Sequence, residues 1–206
     1  MSPATRHLYL ARHGHASADE TRLTDQGRRQ AALLGERLRG VPLSAIHHGP
    51  LARAAETAQL VGEQLACVPV STSSAAGDYC PYVPDRDEMP EESADETLSW
   101  LEGFTADERM TGPVLAREAV ELFTGAVDGP QARHELVVTH NFLIAWLVRE
   151  ALGAPAWRWI GLNHANAALT VIRYAPRRPA ELVVFNDLAH LPVELRWTGF
   201  EVERQL

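Results

Sequence analysis

The architecture of this chain can be worked out from one stretch near its start, His7-Leu8-Tyr9-Leu10-Ala11-Arg12-His13-Gly14. Its first five residues predict a buried β-strand, and a guanidinium, an imidazole and a glycine follow at once. In open α/β sheets, ligands bind outside the carboxyl ends of the strands. Arg12 and His13 therefore mark a candidate reaction centre. We expect Gly14 to let the backbone turn sharply and approach a ligand closely.

The composition is that of a folded protein without a basic surface. The 206 residues are 46% hydrophobic and carry a formal net charge of -8, with a pI near 5.6. This composition predicts a sizeable core and argues against nucleic acid as the main partner. All 19 basic residues are arginine, which excludes a Schiff-base lysine and the lysine-bearing phosphate loop. Arginine is left as the permanent cation for any phosphate site.

Cysteine usage and hydropathy suggest where the protein works. Cys67 and Cys80 are too few for a disulfide framework. The start of the chain lacks the pattern of a secretory signal, and no apolar stretch approaches the roughly 18 residues of a membrane span. We therefore expect a cytoplasmic protein with no membrane partner.

Strands and helices are predicted to alternate along the chain. The predicted strands cover about 7–11, 43–48, 68–71, 135–140, 168–173 and 181–185, and the predicted helices cover about 24–39, 51–65, 93–104, 113–127 and 142–152. This alternation predicts a parallel sheet covered on both faces, with the last two strands as an antiparallel hairpin at its edge. The expected fold is a doubly wound three-layer α/β/α sandwich. We expect one domain over residues 1–206, with an inserted loop and helix region at about 73–112 over the active site.

Three predicted strand ends carry residues suited to holding a phosphoryl group. Arg12 and His13 follow the first strand, residues 47–49 end the second, and His140 ends the fourth. Arg53 lies near the start of the next helix, where the positive end of the helix dipole favours phosphate. Because the carboxyl ends of parallel strands meet at one edge of a sheet, we expect these groups to converge.

Four short motifs follow one another in this chain. They are Arg12-His13-Gly14, Leu23-Thr24-Asp25-Gln26-Gly27 with Gln30-Ala31, Pro50-Leu51-Ala52-Arg53-Ala54 with Thr57-Ala58, and Val138-Thr139-His140. In this order they resemble the histidine phosphatase superfamily, in the branch that includes phosphoglycerate mutases. The resemblance covers about residues 7–172 and implies a phosphoglycerate mutase-like fold.

The resemblance implies a metal-independent phosphatase that hydrolyses phosphomonoesters through a phosphohistidine intermediate and needs no cofactor. His13 would be the nucleophile, and the ordinary histidine pKa near 6.5 leaves much of it neutral in the cell. Arg12, Arg53 and His140 would hold the phosphate oxygens, with His140 also part of the catalytic machinery. Asp78 stands about two dozen residues after Arg53, where family members place the carboxylate that protonates the leaving oxygen. The substrate would be a small phosphorylated metabolite or a phosphoprotein.

Several assignments stay open at this point. The alternatives to Asp78 as general acid are Asp85, Asp87 and Glu88, and the further pocket candidates are Gly14, Ser17, His48 and Asn141. Three polar residues precede the fifth strand: Asn163, His164 and Asn166. They could either form the floor of the pocket or cap a loop. We expect Trp157 and Trp159 to serve the core or an interface rather than to stack on a ligand.

A metal site is the main chemical alternative. His13-Gly14-His15 has the spacing of a metal-binding His-x-His pair, and His47, His48 and His140 are available as further ligands. This interpretation leaves the two arginines at the strand ends without a role. We therefore favour a site without metal.

Departures from the family pattern help to choose the reaction. Gly49 stands where many members have serine, Asn141-Phe142 replaces a glycine pair, and Asp78 replaces a glutamate. The polar residues that follow the first motif in mutases are not evident in residues 15–19. These differences favour a phosphatase over a phosphoglycerate-type mutase, which remains the alternative together with a non-catalytic phosphate-binding module.

Overall fold

The computed structural model describes residues 2–200 and 203. Its strands are β1 (Pro3–Ala4), β2 (Arg6–Arg12), β3 (Ala45–His48), β4 (Val70–Thr72), β5 (Val127–Asp128), β6 (Arg133–Thr139), β7 (Leu169–Tyr174) and β8 (Glu181–Asp187). Its α-helices are α1 (Asp25–Leu38), α2 (Ala52–Glu63), α3 (Glu91–Leu101), α4 (Ala106–Phe123) and α5 (Asn141–Ala151). Each of the six strands predicted from the sequence is present, with small shifts at its ends.

Six strands form the main sheet in the order β4-β3-β6-β2-β7-β8. The pairs β4-β3, β3-β6 and β6-β2 are parallel, whereas β2-β7 and β7-β8 are antiparallel. This confirms the predicted mostly parallel sheet with an antiparallel hairpin at one edge. A separate pair of two-residue strands, β1 and β5, is too short to have a sequence signal.

The strand β2 is buried on both faces of the sheet, as its nearly continuous apolar run predicts. Leu8 and Leu10 pack on one face, against α4 and α5. Ala11 lies on the opposite face, against α1 and α2, because successive side chains of a strand alternate. Each leucine buried in this way contributes about 2 kcal/mol to folding. The helices thus form one layer on each side of the sheet, and none of those described is long and apolar enough to cross a membrane.

The helix predicted to begin at Pro113 begins earlier, and that prediction is wrong. Thr105 caps α4 and forms a capping box with Glu108, in which each side chain accepts from the other's backbone N–H. This box satisfies the first backbone donors well before the proline. Pro113 therefore lies inside α4 and removes one of its backbone hydrogen bonds.

The carboxyl ends of β2, β3 and β6 lie side by side. Arg12 is in register with Thr139, and His48 is in register with Val138. The chain stays aligned just beyond the end of β2, since the His13 amide donates to the Thr139 carbonyl at 2.9 Å. The carboxyl ends of these three strands therefore meet at one edge of the sheet, as predicted. The domain boundaries and the role of the inserted region stay predictions.

The segment after β8 returns to this same edge. Leu191 and Leu195 are buried against the loop before β7. Gln30 of α1 donates through Nε2 to the Leu195 carbonyl at 2.8 Å and to the Thr198 hydroxyl at 2.7 Å. These contacts bring residues 197–200 beside the strand ends.

Candidate active site

A cavity of about 530 Å³ opens at the carboxyl ends of β2, β3 and β6. All five residues predicted from the sequence to be catalytic or phosphate-binding line it, together with the start of α5. Its lining residues are Arg12, His13, Glu20, Arg53, Asp78, His140, Asn141, Phe142, Asn163, Gly199 and Phe200.

The His13 side chain is buried and held in one tautomer. Its Nδ1 lies 2.8 Å from the Gly14 carbonyl, which can only accept, so Nδ1 carries the proton. Its Nε2 accepts from Nε of Arg53 at 3.2 Å and therefore has a lone pair. Burial above all, then the positive charge of nearby groups, lowers the pKa of His13 to about 2. The imidazole is neutral at cellular pH and presents a nucleophilic nitrogen.

The backbone around His13 is fixed from three sides. The Gly14 amide donates to the Thr57 hydroxyl of α2 at 3.0 Å, and Asn166 donates through Nδ2 to the His13 carbonyl at 3.0 Å. A Cβ on Gly14 would overlap the Gly27 carbonyl in the first turn of α1. Gly14 is therefore required for the close approach of a helix, and it is not among the described residues that line the cavity.

Arg53 is the most connected cation of the cavity. It comes from the first turn of α2 and is buried. Its Nη2 donates to Oδ2 of Asp78 at 2.8 Å, its Nη1 donates to the Glu20 carbonyl at 3.2 Å, and its Nε lies 3.1 Å from Oε2 of Glu20. The guanidinium thus contacts the His13 ring and two carboxylates.

Arg12 enters the cavity from the end of β2. Its Nη1 donates to the His164 carbonyl at 2.8 Å and lies 3.5 Å from the Gly199 carbonyl. Its Nε has no hydrogen-bond partner in the part of the chain that the structure describes. Arg12 and Arg53 together supply two positive charges near His13, which is the charge that a bound phosphate dianion requires.

His140 stands opposite His13, with ring centroids 5.0 Å apart. It is 1% exposed, and neither ring nitrogen has a hydrogen-bond partner among the described residues. Burial, then Arg53 and Arg12, lower its pKa to about 3. An unpartnered buried polar group costs about 1–3 kcal/mol, a cost that a ligand oxygen or water in the cavity would remove.

Asp78 is the carboxylate that reaches the reaction centre from the segment after β4. Its Oδ2 lies 2.8 Å from Nη2 of Arg53 and 3.4 Å from Nδ1 of His140, and its side chain is 32% exposed. Burial raises the pKa of Asp78 above its ordinary value despite the two opposing arginines. A carboxyl group with a raised pKa is suited to donate a proton.

The departure at Gly49 now has a physical reason. A Cβ on Gly49 would overlap the Ala76 carbonyl, so a serine does not fit there without a shift of the backbone. The same carbonyl accepts from the Thr139 hydroxyl at 2.7 Å. This hydrogen bond anchors the residues that lead to Asp78 onto β6.

The other acid candidates lie elsewhere. Glu88 accepts from the Tyr82 hydroxyl and from the Asp85 amide, where it completes a capping box. Asp87 is exposed. None of these three carboxylates is among the described residues that line the cavity.

The further pocket candidates divide. Asn141 lines the cavity, where its Nδ2 donates to Oδ1 of Asn163 at 3.2 Å. Ser17 and His48 are not among the described residues that line it. Ser17 bonds to Asp19, and His48 bonds to the backbone of Gly49. Both side chains thus make hydrogen bonds to residues close to them in sequence.

Of the histidines of the metal alternative, only His13 and His140 are among the described residues that line the cavity. His15 bonds to Thr24 and His47 bonds to Ser71, both outside the cavity. Among residues 2–200 and 203, no group of three or more histidine, cysteine or acidic side chains is placed to hold a metal ion.

Two features of the cavity lie beyond the sequence-based prediction. Glu20 belongs to a segment with the composition of a polar loop, yet its φ of 60° turns the chain back so that it reaches Arg53. Gly199 arrives with the C-terminal segment, for which the sequence predicts no element. The one available signal is the carboxylate of Glu20 shortly after the first motif.

Comparison with known proteins gives the class of this chain. A sequence model of the histidine phosphatase superfamily (branch 1) matches residues 8–187, so the chain belongs to that superfamily. Its members act on phosphorylated substrates. The resemblance inferred from the four motifs is confirmed.

Three particular proteins illustrate the range of relatives. "Serine/threonine-protein phosphatase Pgam5, mitochondrial" of Caenorhabditis briggsae is 27% identical over 193 residues, covering 91% of this chain and 65% of the relative. "Probable phosphoglycerate mutase GpmB" of Salmonella choleraesuis is 27% identical over 183 residues, covering 81% of this chain and 84% of the relative. The crystal structure of a phosphoglycerate mutase from Plasmodium falciparum has a TM-score of 0.62 and 20% identity, covering 92% of this chain and 96% of that one. The last likeness confirms the phosphoglycerate mutase-like fold.

The relatives also correct one expectation. Several Pgam5 phosphatases with 24–28% identity carry mitochondrial names, which points away from the cytoplasm. The prediction of a cytoplasmic protein is therefore wrong. It rested on the cysteine count and on the lack of a secretory-signal or membrane-span pattern, none of which identifies an organelle. This chain spans 65% of the length of the C. briggsae relative.

Proposed function

We propose that this chain is a metal-independent phosphatase that hydrolyses phosphomonoesters through a phosphohistidine at His13. The observation that carries the proposal is the tautomer of His13: Nδ1 donates to the Gly14 carbonyl, which leaves the Nε2 lone pair facing Arg53 and the cavity. A neutral, oriented imidazole is an activated nucleophile.

In the first step, Nε2 of His13 attacks phosphorus, so that a P–N bond forms as the ester P–O bond breaks. Arg12, Arg53 and His140 hold the non-bridging oxygens and stabilise their charge. Asp78 gives its proton to the leaving oxygen, which departs as an alcohol. The bound phosphate also favours protonated Asp78, because a negative charge nearby raises the pKa of a carboxyl group.

The second step returns the enzyme to its starting form. Asp78, now ionised, accepts a proton from a water molecule as that water attacks phosphorus. The P–N bond breaks, inorganic phosphate forms, and Nε2 of His13 regains its lone pair. No metal or cofactor enters this scheme.

A mutase is the second candidate, since one relative is named a phosphoglycerate mutase. A mutase transfers the phosphoryl group back to a bound acceptor before water reaches it. The fate of the phosphoenzyme separates the two: rapid decay in water alone supports the phosphatase, and decay only on addition of a phosphoglycerate supports the mutase. Phosphate binding without turnover would support a binding module instead.

The test is hydrolysis of p-nitrophenyl phosphate in excess EDTA by the wild type, His13→Ala and His47→Ala. We expect turnover in the wild type and in His47→Ala, and none in His13→Ala, with an acid-labile phosphate on His13 detected by mass spectrometry of quenched enzyme. His47 is the matched control because only the metal alternative needs it. Activity that EDTA or the His47 substitution abolishes would overturn the proposal.

Phosphoproteins and small metabolites are both candidate substrates. The Pgam5 relatives are named serine/threonine-protein phosphatases, which supports the first, whereas a cavity of about 530 Å³ accommodates a small phosphate ester. The choice between these two substrate classes depends on what surrounds this cavity.

A further inference from the structure

A second cavity of about 390 Å³ adjoins the phosphate cavity. The two share three lining residues, Asn141, Phe142 and Asn163. Because Asn141 follows His140 directly, this boundary lies one residue from the groups that hold phosphate. A substrate whose phosphate sits between Arg12 and Arg53 therefore has room to extend its organic part into the second cavity.

The second cavity is walled by three aromatic rings. Phe142 packs edge-on against Trp159 at 5.3 Å between centroids and against Trp100 at 5.8 Å, while Trp100 and Trp159 are 5.8 Å apart. Nε1 of Trp159 donates to the Tyr82 carbonyl at 3.0 Å, which fixes its ring. Trp100 belongs to α3 and remains 45% exposed.

Within this aromatic cluster, Trp100 is the ring whose exposure points to a ligand. Trp159 is 2% exposed, as expected for the core. Trp100 leaves a large aromatic surface bare at the mouth of a cavity that leads to the phosphate groups. Aromatic side chains attract planar rings in stacked or edge-on arrangements.

The charge of the second cavity differs from that of the first. Glu96 is the charged residue among its described lining residues, whereas Arg12 and Arg53 face the first. A carboxylate disfavours a second phosphate or a carboxylate on the ligand. The second cavity thus suits a ring without negative charge.

We infer that the second cavity binds the leaving group of the substrate, and that this leaving group carries a planar aromatic ring with no anionic substituent. The inference rests on the proposed function, since it places the alcohol part of a phosphomonoester on the aromatic cluster. Trp100 is the specificity-determining residue, and Glu96 selects against anionic rings.

The experiment compares 3-phenylpropyl phosphate with propyl phosphate, which share the same ester chemistry and differ in the ring. We expect wild-type kcat/KM to favour the phenyl compound by about tenfold. Trp100→Ala is expected to remove this preference, so that the two esters are hydrolysed with similar kcat/KM. Trp157→Ala is the matched control, because Trp157 is not among the described residues that line either cavity.

A second variant tests the charge without disturbing the aromatic packing. Glu96 is exposed, so Glu96→Gln is compatible with the fold. We expect it to raise kcat/KM for 3-(4-carboxyphenyl)propyl phosphate several-fold relative to 3-phenylpropyl phosphate. An equal effect on both esters would contradict the role of Glu96.

Binding without chemistry separates this inference from the proposed function. Tryptophan fluorescence reports the binding of 3-phenylpropylphosphonate and propylphosphonate, which are not hydrolysed. Tighter binding of the phenyl compound that Trp100→Ala abolishes supports the inference, whether or not His13 is the nucleophile. Equal binding of the two phosphonates, or an equal loss of both esters in Trp100→Ala, would overturn it. Turnover retained in His13→Ala would overturn only the proposed function.

Discussion

Nη2 of Arg53 donates to Oδ2 of Asp78 at 2.8 Å, so the cation proposed to hold the phosphate is paired with the group proposed as the acid. The pair keeps Oδ2 of Asp78 at 3.4 Å from Nδ1 of His140, among the groups proposed to bind the phosphate. A bound phosphate competes for the same guanidinium. When the phosphate binds Arg53, the interaction of Arg53 with Asp78 weakens. The pKa of Asp78 then rises, because a nearby positive charge no longer stabilises its carboxylate form.

Asp78→Asn is expected to discriminate between leaving groups. The amide cannot supply a proton, so turnover of 3-phenylpropyl phosphate should fall by about 10²–10⁴, the usual contribution of general acid catalysis. p-Nitrophenyl phosphate should lose much less, because its leaving group departs without protonation. Steady-state kcat for both substrates checks this. Asp87→Asn is the control, as Asp87 is exposed and lies outside the cavity. Equal losses with the two substrates would refute the role of Asp78.

Glu20→Gln is expected to tighten phosphate binding. The Glu20 carboxylate lies 3.1 Å from Nε of Arg53 and adds negative charge where a phosphate must bind. Its side chain is 62% exposed, so the pair is worth at most about 1 kcal/mol, which corresponds to a fall of up to about fivefold in KM and in the inhibition constant of inorganic phosphate. Glu36→Gln removes an exposed carboxylate that is not among the described residues lining the cavity, and it should change neither constant. A raised KM in Glu20→Gln would mean that Glu20 positions Arg53 instead.

The buried histidines predict a loss of stability in acid. The pKa of His13 is lowered to about 2, and those of His140 and His164 to about 3, chiefly by burial. Between about pH 3 and 6.5 the unfolded chain therefore binds more protons than the folded one. The free energy of unfolding is fully retained above pH 6.5 and falls as the pH drops, by up to about 1.4 kcal/mol per pH unit for each histidine.

Urea unfolding of the wild type and His140→Gln at several pH values between about 4.5 and 7.5 measures this effect. The glutamine cannot titrate, so the variant should show a shallower loss of stability with acid. Subtracting the two curves removes the contribution of the carboxylates that both proteins share. Identical slopes would show that His140 is protonated in the folded protein.

The sequence is sufficient to predict the parts of the fold that depend on local patterns. The apolar run of β2 and the alternation of strands with helices along the chain correctly predict the sheet and the helix layers on its two faces. The predicted start of α4 is wrong because Pro113 is a strong helix-start signal, whereas the Thr105–Glu108 capping box prevails in the structure. The strands β1 and β5 depend on pairing between distant two-residue segments, which no local pattern indicates.

The residues of the candidate site likewise fall into those that a local pattern predicts and those that it does not. Arg12, His13 and His140 are predictable because strand ends place them, and Arg53 because it begins the helix after one of those strands. Glu20 and Gly199 reach the cavity through loops whose paths depend on tertiary packing. For Gly199 that packing is the burial of Leu191 and Leu195 far along the chain.

Gly199→Ala tests whether the C-terminal segment shapes the phosphate cavity. Gly199 has a φ of +85°, and a Cβ there would lie 2.5 Å from Oδ1 of Asn166 and 2.7 Å from Nη1 of Arg12. We expect a several-fold rise in KM as Arg12 is displaced, in addition to about 1–2 kcal/mol of backbone strain. Gly125→Ala is the matched control, since Gly125 has a φ of +75° and a Cβ added there would meet no described atom within 4 Å. Both variants should lose similar stability in urea unfolding, and only Gly199→Ala should bind substrate more weakly. An unchanged KM in Gly199→Ala would show that Arg12 holds its position without this segment.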